Sequence, residues 1–392
     1  MKIDLKDTHL RWNGRIYWGE GEKPLWIFPA TSLRFRMRGR KAVLRVRNYN
    51  QYWENSLGII VDGVQTKCVL KNEGVTEMVL FDEGQNHFAT SQVITGQITN
   101  QQPAADESKE GTVRLEDEKE VVPIEKAEQS IEQGIREVFI FKRMDSCHLC
   151  EIESLEVSED AEFLPLPEIE NRKIEVYGDS VSAGEVSEAV GYTGKEDPEH
   201  NGEYSNSWYS YAWMTARKLR AQIHDIAQGG IALLDNTGWF LEPEAVGMES
   251  AWDKVQYNPY YGKLISWDFQ KYRPDVVLVA IGQNDNHPED YMKENYLGEK
   301  AIYWREHYKQ FLLHLREKYT EAYIICHTTL LCHDISWDNA VDEVVESLND
   351  QKVSHYLFKR NGCGTPGHLR IPEAEEMADE LAVYISKLTG WK

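Results

Sequence analysis

The 392-residue sequence has no apolar run approaching the roughly 20 residues that a membrane-spanning helix needs. Its first ten residues mix charged and short apolar side chains, without the apolar core or small-residue cleavage site of a secretory leader. The expectation is a cytoplasmic protein with no membrane as partner. Basic residues are scarce beside acidic ones, 43 Lys and Arg against 65 Asp and Glu, for a formal net charge of -22. A surface of that sign gives a phosphate backbone no basic stripe against which to release counterions, so nucleic acid is excluded and neutral substrates fit more easily. There are only six cysteines, Cys68, Cys147, Cys150, Cys326, Cys332 and Cys363, and they are scattered rather than spaced as a disulfide framework. Long Ser, Gln or Pro tracts are missing as well, and 41% of the residues are hydrophobic, which excludes a disordered chain and leaves room for two folded domains.

From residue 25 to about 158 the pattern is short apolar or alternating runs, at 33–37, 43–46, 57–61 and 138–141, broken by Gly, Asn and Asp. This texture predicts an antiparallel β-sandwich over residues 1–157. Within it, 97–133 is polar and acidic and reads as a long surface excursion between strands. Residues 158–172 combine acidic side chains with Pro165 and Pro167, which suits an extended connector rather than a helix. Beyond it, apolar runs at 173–177, 223–226, 276–281 and 323–327 alternate with helix-like segments such as 207–220, 303–319 and 373–388. That alternation predicts an α/β domain over 173–392, with a parallel sheet flanked by helices.

The first strand of that domain runs straight into Gly178-Asp179-Ser180. Ligands of open parallel sheets gather beyond the carboxyl ends of the strands, so Ser180 stands where a nucleophile is expected. Alone, such a tripeptide is more often a turn. The order of the later blocks changes that reading: Gly230 comes after the second strand, and Gly282-Gln283-Asn284-Asp285 after the third. A glycine exposing its backbone N–H and an asparagine offering its amide are the donors an acyl-transfer oxyanion needs. Near the C-terminus, His368 lies on a Gly-rich loop just before an amphipathic helix opened by Pro372 and Glu373. From there it can serve Ser180 as general base and later protonate the leaving oxygen.

These four ordered blocks resemble the SGNH (GDSL-like) hydrolase superfamily, and the match covers most of residues 173–390. A sandwich placed before the hydrolase domain, with NSWYSYAWMTARKL at 206–219, is similar to carbohydrate esterase family two, the acetyl xylan esterase type. The resemblance implies a flavodoxin-like parallel sheet preceded by a jelly-roll sandwich, and removal of O-acetyl groups from acetylated xylan or xylo-oligosaccharides through an acyl-enzyme. It implies Ser180 as nucleophile and His368 as base, with the Ser180 N–H, Gly230 and Asn284 holding the oxyanion. Asp179 and Asp285 belong to the motifs and are read as scaffold. The chain departs from the superfamily at Thr365, three positions before the histidine, where an acidic residue usually orients the imidazole. A backbone carbonyl, in a Ser-His dyad, or an aspartate from elsewhere in the fold must take that role.

Between Gly230 and the third strand lies an aromatic-rich insertion with Trp239, Phe240, Trp252, Tyr257, Tyr260 and Tyr261. Sugar rings stack on aromatic faces, so Trp239, Trp252 and Tyr260 are the candidate glycan contacts, the rest being core. The CxxC at Cys147–Cys150 lacks a second pair and falls in a sandwich strand, and the proposed chemistry needs no metal or cofactor. The sandwich itself reads as structural support. Two other readings stay open: an esterase of the same fold acting on a non-carbohydrate short-chain ester, and a carbohydrate-binding protein without catalysis.

Overall fold

Residues Val276–Ala280, all apolar, form the central strand of a five-stranded parallel sheet buried on both faces. In this computed structural model, which describes residues 1–19, 21, 23–84, 87–88 and 134–392, the sheet comprises β1 (Lys173–Gly178), β2 (Gln222–Ala227), β3 (Val276–Ala280), β4 (Tyr323–Cys326) and β5 (Val353–His355). The strand order is β2-β1-β3-β4-β5, and every neighbouring pair is parallel. This is the flavodoxin-like order, whose switch point falls between β1 and β3.

Alternation along the strands divides the apolar residues between two cores. Tyr177, Val277, Val279 and Ile324 face one, and Ile174, Val176, Leu278 and Ile325 the other. The helices that matter for the site and the two cores are α1 (Ser180–Ala183), α2 (Tyr211–Lys218), α3 (Glu299–Lys318), α4 (Ile335–Leu348) and α5 (Ile371–Thr389), beside the single turns Met248–Ala251 and Tyr291–Glu294. Helices α3 and α4 cover the first face through Trp304, Tyr308, Trp337 and Val341, while α2 and α5 cover the second through Tyr211, Trp213, Met377 and Leu381. The segment expected to be helical from 207 starts as a single 3-10 turn, Ser207–Tyr209, and becomes α2 only where the Ser210 hydroxyl accepts the Trp213 N–H at 3.1 Å.

The N-terminal part is a sandwich of two antiparallel sheets. One runs His87–Phe88, Val75–Asp82, Lys41–Tyr49, Leu149–Val157, Pro24–Trp26, Ile16–Trp18, with Lys2–Ile3 on Leu149–Val157. The other runs Glu162–Leu164, Ser32–Arg38, Ile135–Lys142, Ser56–Val61, Val64–Val69, with Arg11–Asn13 on Ser32–Arg38. Their facing sides form a separate core around Trp26, Phe35, Leu44, Ile59, Leu80 and Ile140. The connector expected at 158–172 is not extended throughout without pairing. Glu162–Leu164 adds to the sandwich edge against Arg36, Met37 and Arg38, and Phe163 packs on Phe35. The excursion expected at 97–133 lies outside the described residues.

The seam between the two parts is itself a packed interior. Ile27, Phe28 and Leu149 join one core of the parallel sheet, and Ala30 and Phe141 join the other. Arg15 of the sandwich is fully buried there, donating to Glu175 Oε1 at 3.0 Å, Tyr177 Oη at 2.6 Å and the Trp252 carbonyl at 2.6 Å. Among the described residues no helix is long and apolar enough to cross a membrane.

Candidate active site

Ser180 is the first residue of α1, immediately past the carboxyl end of β1. The turn is made by Asp179, whose Oδ1 accepts the Val181 N–H at 2.9 Å, and is closed by Gly184 in the left-handed region, φ 78°. A side chain at 184 would start 2.5 Å from the Asn206 carbonyl oxygen, so only glycine fits. The C-terminal loop brings His368 across the cleft, with Nε2 2.8 Å from Ser180 Oγ. Residues 188 apart in the chain are thus brought into a hydroxyl–imidazole contact, the geometry that acyl transfer requires of a nucleophile and its base.

The other imidazole nitrogen meets Asp197, from the exposed loop after the nucleophile block. His368 Nδ1 lies 2.5 Å from Asp197 Oδ2, and the His368 backbone N–H donates to Oδ1 at 2.9 Å. Asp197 is held in turn by the buried Arg370 guanidinium, 2.9 Å from Oδ1, which also donates to the His368 carbonyl. Gly367 permits the close approach, since a Cβ there would sit 2.6 Å from Asp197 Oδ1. Of the two orienting groups left open by the sequence, the structure supplies the aspartate. Thr365 is buried beside Leu331, and its N–H donates to the Leu330 carbonyl at 3.1 Å. Nothing in the sequence marked Asp197, one of several acids in an exposed polar loop.

The cleft is strongly anionic around the base. Burial alone would depress His368, but the charge of Glu185, the hydrogen bond and charge of Asp197, and the charge of Asp179 outweigh it and push the imidazole up to about 9. Burial works against ionisation of Asp197 too, yet its hydrogen bonds and charge pairing with His368 and Arg370 hold it well below the usual carboxylate range. Glu185, 4.0 Å from His368 Nε2, is pushed up to about 7 by burial, offset in part by His368 and reinforced by Asp145, Asp197 and Asp179.

Gly230 and Asn284 lie on the loops after β2 and β3. Gly230 has φ 73°, and its carbonyl accepts the N–H groups of Trp239 and Phe240, at 2.8 and 3.2 Å. The preceding Gly229 N–H donates to Asp145 Oδ2 at 2.8 Å, so a sandwich residue holds this loop. Asn284 Nδ2 donates to the Ile231 carbonyl at 3.1 Å and to Asp179 Oδ2 at 3.3 Å. Asp285 is buried and accepts the Leu233 and Leu234 N–H groups, at 2.7 and 3.2 Å, tying the β3 loop to the segment after Gly230. Burial pushes its carboxyl up to about 7 despite those two donors.

The aromatic insertion divides sharply. Trp239, 57% exposed, stacks on His287 with ring centroids 3.4 Å apart, and its N–H donates to Gly230, which places it at the cleft. Trp252 is a correction: only 9% exposed, it packs against Phe269, Phe311 and His314, because the short helix Met248–Ala251 turns it into the core. Tyr260 is 64% exposed but sits edge-on to Tyr261, whose hydroxyl donates to the Tyr49 and Cys147 carbonyls; its contacts lead to the sandwich and not to Ser180.

Asp145, Cys147 and His148 bring ligand-type atoms within 4.8 Å of one another. Asp145 is already committed to Gly229 and to Gln228 Nε2, and burial together with Asp145 raises the Cys147 thiol well above its ordinary value. Cys147 itself lies in the loop before strand Leu149–Val157, and Cys150 lies within the strand.

Residues 12–96 match the family model described as the N-terminal domain of carbohydrate esterase 2. The cellulase/esterase CelE of Acetivibrio thermocellus is 29% identical over 271 residues, 66% of this chain and 31% of that protein. The acetylxylan esterase / glucomannan deacetylase of Cellvibrio japonicus is 26% identical over 235 residues, 59% of this chain and 61% of that protein. The chain therefore spans less than two thirds of the length of either curated relative. Among solved structures, a family two carbohydrate esterase from Clostridium thermocellum in complex with cellohexaose superposes with a TM-score of 0.71 at 23% identity, over 98% of this chain and 100% of that one. A family two carbohydrate esterase from Cellvibrio japonicus gives 0.73 at 20% identity, over 100% and 98%. The likeness in fold to these two esterase structures thus extends over both domains.

Proposed function

We propose, from this likeness to carbohydrate esterase family two, that the chain is a serine esterase that removes O-acetyl groups from acetylated xylan fragments or similar neutral glycans. The observation that carries the reading is the relay from Asp197 through His368 to Ser180, with both hydrogen bonds formed. His368 Nε2 takes the hydroxyl proton as Ser180 Oγ attacks the acyl carbonyl. The oxyanion is received by the Ser180 and Gly230 backbone N–H groups and by the Asn284 amide, which turns to it one of the two hydrogens it otherwise gives to the Ile231 carbonyl and Asp179. The imidazolium, steadied by Asp197, then protonates the sugar oxygen as it leaves, and water releases acetate from Ser180 by the reverse sequence. Trp239 offers an exposed ring beside the cleft for a sugar face. The names of the relatives support acetyl as the acyl group, and the net charge of -22 favours neutral glycans over anionic ones.

The test is acetate release from acetylated xylo-oligosaccharides and from an aryl acetate, by the wild type, Ser180→Ala and His368→Ala. Hydrolysis of both substrates is expected, falling by at least about 10³-fold in either variant. Hydrolysis of the aryl ester alone would point to a non-carbohydrate ester. Rates untouched by Ser180→Ala would overturn the mechanism.

A further inference from the structure

Glu185 follows the nucleophile helix directly. Its backbone N–H donates to the Ser180 carbonyl at 3.0 Å, so the turn that presents the serine also fixes where this side chain begins. The carboxyl reaches the cleft, with Oε2 4.0 Å from His368 Nε2. On its other side is Gly229, where a Cβ would meet Oε2 at 3.0 Å. The group therefore lies between the imidazole and the loop that carries Gly230.

The other acids nearby are committed. Asp145 holds Gly229 and Gln228, Asp179 holds Val181 and Asn284, and Asp197 holds His368 and Arg370. Among the described residues no donor hydrogen-bonds to the Glu185 carboxyl, although its side chain is only 13% exposed. A partly exposed acceptor with no protein donor, set beside the reacting atoms, is open to a donor from the substrate.

The chemistry of a sugar ester supplies one. To be protonated, the leaving oxygen must come within hydrogen-bond reach of His368 Nε2. Its nearest polar neighbour on the ring is the hydroxyl of the adjoining carbon. Resting on the esterase reading, we propose that Glu185 is a specificity-determining residue that accepts a hydrogen bond from the hydroxyl adjoining the ester. The enzyme then selects neutral sugar monoesters with that hydroxyl free. A substrate acetylated at both positions brings no donor and sets an acetyl group against the carboxyl, so the acceptor loses water without gaining a partner, an arrangement that discriminates strongly between ligands.

The experiment compares a xyloside monoacetate having a free neighbouring hydroxyl with the corresponding vicinal diacetate, for the wild type, Glu185→Gln and Glu185→Ala. The quantity read is the ratio of kcat/KM for monoacetate over diacetate. Glu185→Ala is expected to lower that ratio about 10- to 100-fold, the range of a charge-assisted hydrogen bond. Glu185→Gln keeps the volume and an uncharged acceptor, so its ratio should fall between the two. A ratio unchanged in both variants, with the two rates dropping together, would overturn the proposal and assign Glu185 an effect on His368 instead. If the wild type released acetate from neither ester, the esterase reading and this proposal would fall together, whereas an unchanged ratio removes only the latter.

Discussion

At the scale of single residues, the electrostatics of His368 set the expected pH dependence. The base accepts a proton only as neutral imidazole, and Glu185, Asp197 and Asp179 hold the protonated form up to about 9 against the opposing effect of burial. Activity should therefore rise with pH, with the midpoint of kcat/KM well above the ordinary histidine range. Asp197→Asn removes one of the anions and its hydrogen bond, so the midpoint should move to lower pH while the limiting rate drops by roughly 10²–10⁴-fold. A pH profile of kcat/KM for both proteins checks the two effects together; an unchanged midpoint in the variant would contradict the assignment of Asp197. The meeting of Ser180 with His368 could be anticipated because small motifs at strand ends and before a helix carry their own context. Asp197 could not, because it lies 171 residues from its partner in a loop rich in acids, and only the fold distinguishes it from them.

At the scale of elements, the loop after β2 is held by the loop that leaves strand Ile135–Lys142. Asp145 accepts from Gly229 and Gln228, and Ser146 Oγ donates to the Ala227 carbonyl at 2.9 Å. The sandwich therefore shapes one wall of the cleft, beyond the structural support expected of it. Asp145→Ala frees the loop that carries Gly230, and kcat should fall about tenfold, equal to about 1.4 kcal/mol, with KM little changed. Steady-state kinetics on an aryl acetate measures this, and a change confined to KM would assign Asp145 to substrate binding instead. The parallel strands were legible because short, wholly apolar runs suit strands buried on both faces and little else. The aromatic insertion was not, because Trp239 and Trp252 are equivalent in composition and only the turn through Met248–Ala251 sends one inward. The short strand Glu162–Leu164 was hidden for a similar reason: its pairing with Ser32–Arg38 is a long-range choice that two nearby prolines obscured.

At the scale of the whole molecule, the two domains share interior. Arg15 carries its charge into that seam, where Glu175 and Tyr177 receive it with no exposed path to water. Removing one partner of such a pair strands the other, so Arg15→Ala should destabilise the protein by about 3–5 kcal/mol. Denaturant unfolding should show one transition shifted as a unit; independent unfolding of the parallel-sheet domain at its original midpoint would contradict a shared core. The change of texture from sandwich to parallel sheet was readable in the sequence, but the sharing of core between them was not, since Ile27, Phe28 and Phe141 read simply as sandwich residues.

The central claim is that Ser180 is an activated nucleophile, and the most direct measurement is covalent labelling with a fluorophosphonate followed by intact-mass and peptide analysis. One phosphonyl group should be found on Ser180, with labelling abolished in Ser180→Ala and slowed in both His368→Ala and Asp197→Asn. Labelling at another residue, or an unlabelled Ser180 in protein that still hydrolyses esters, would contradict the account.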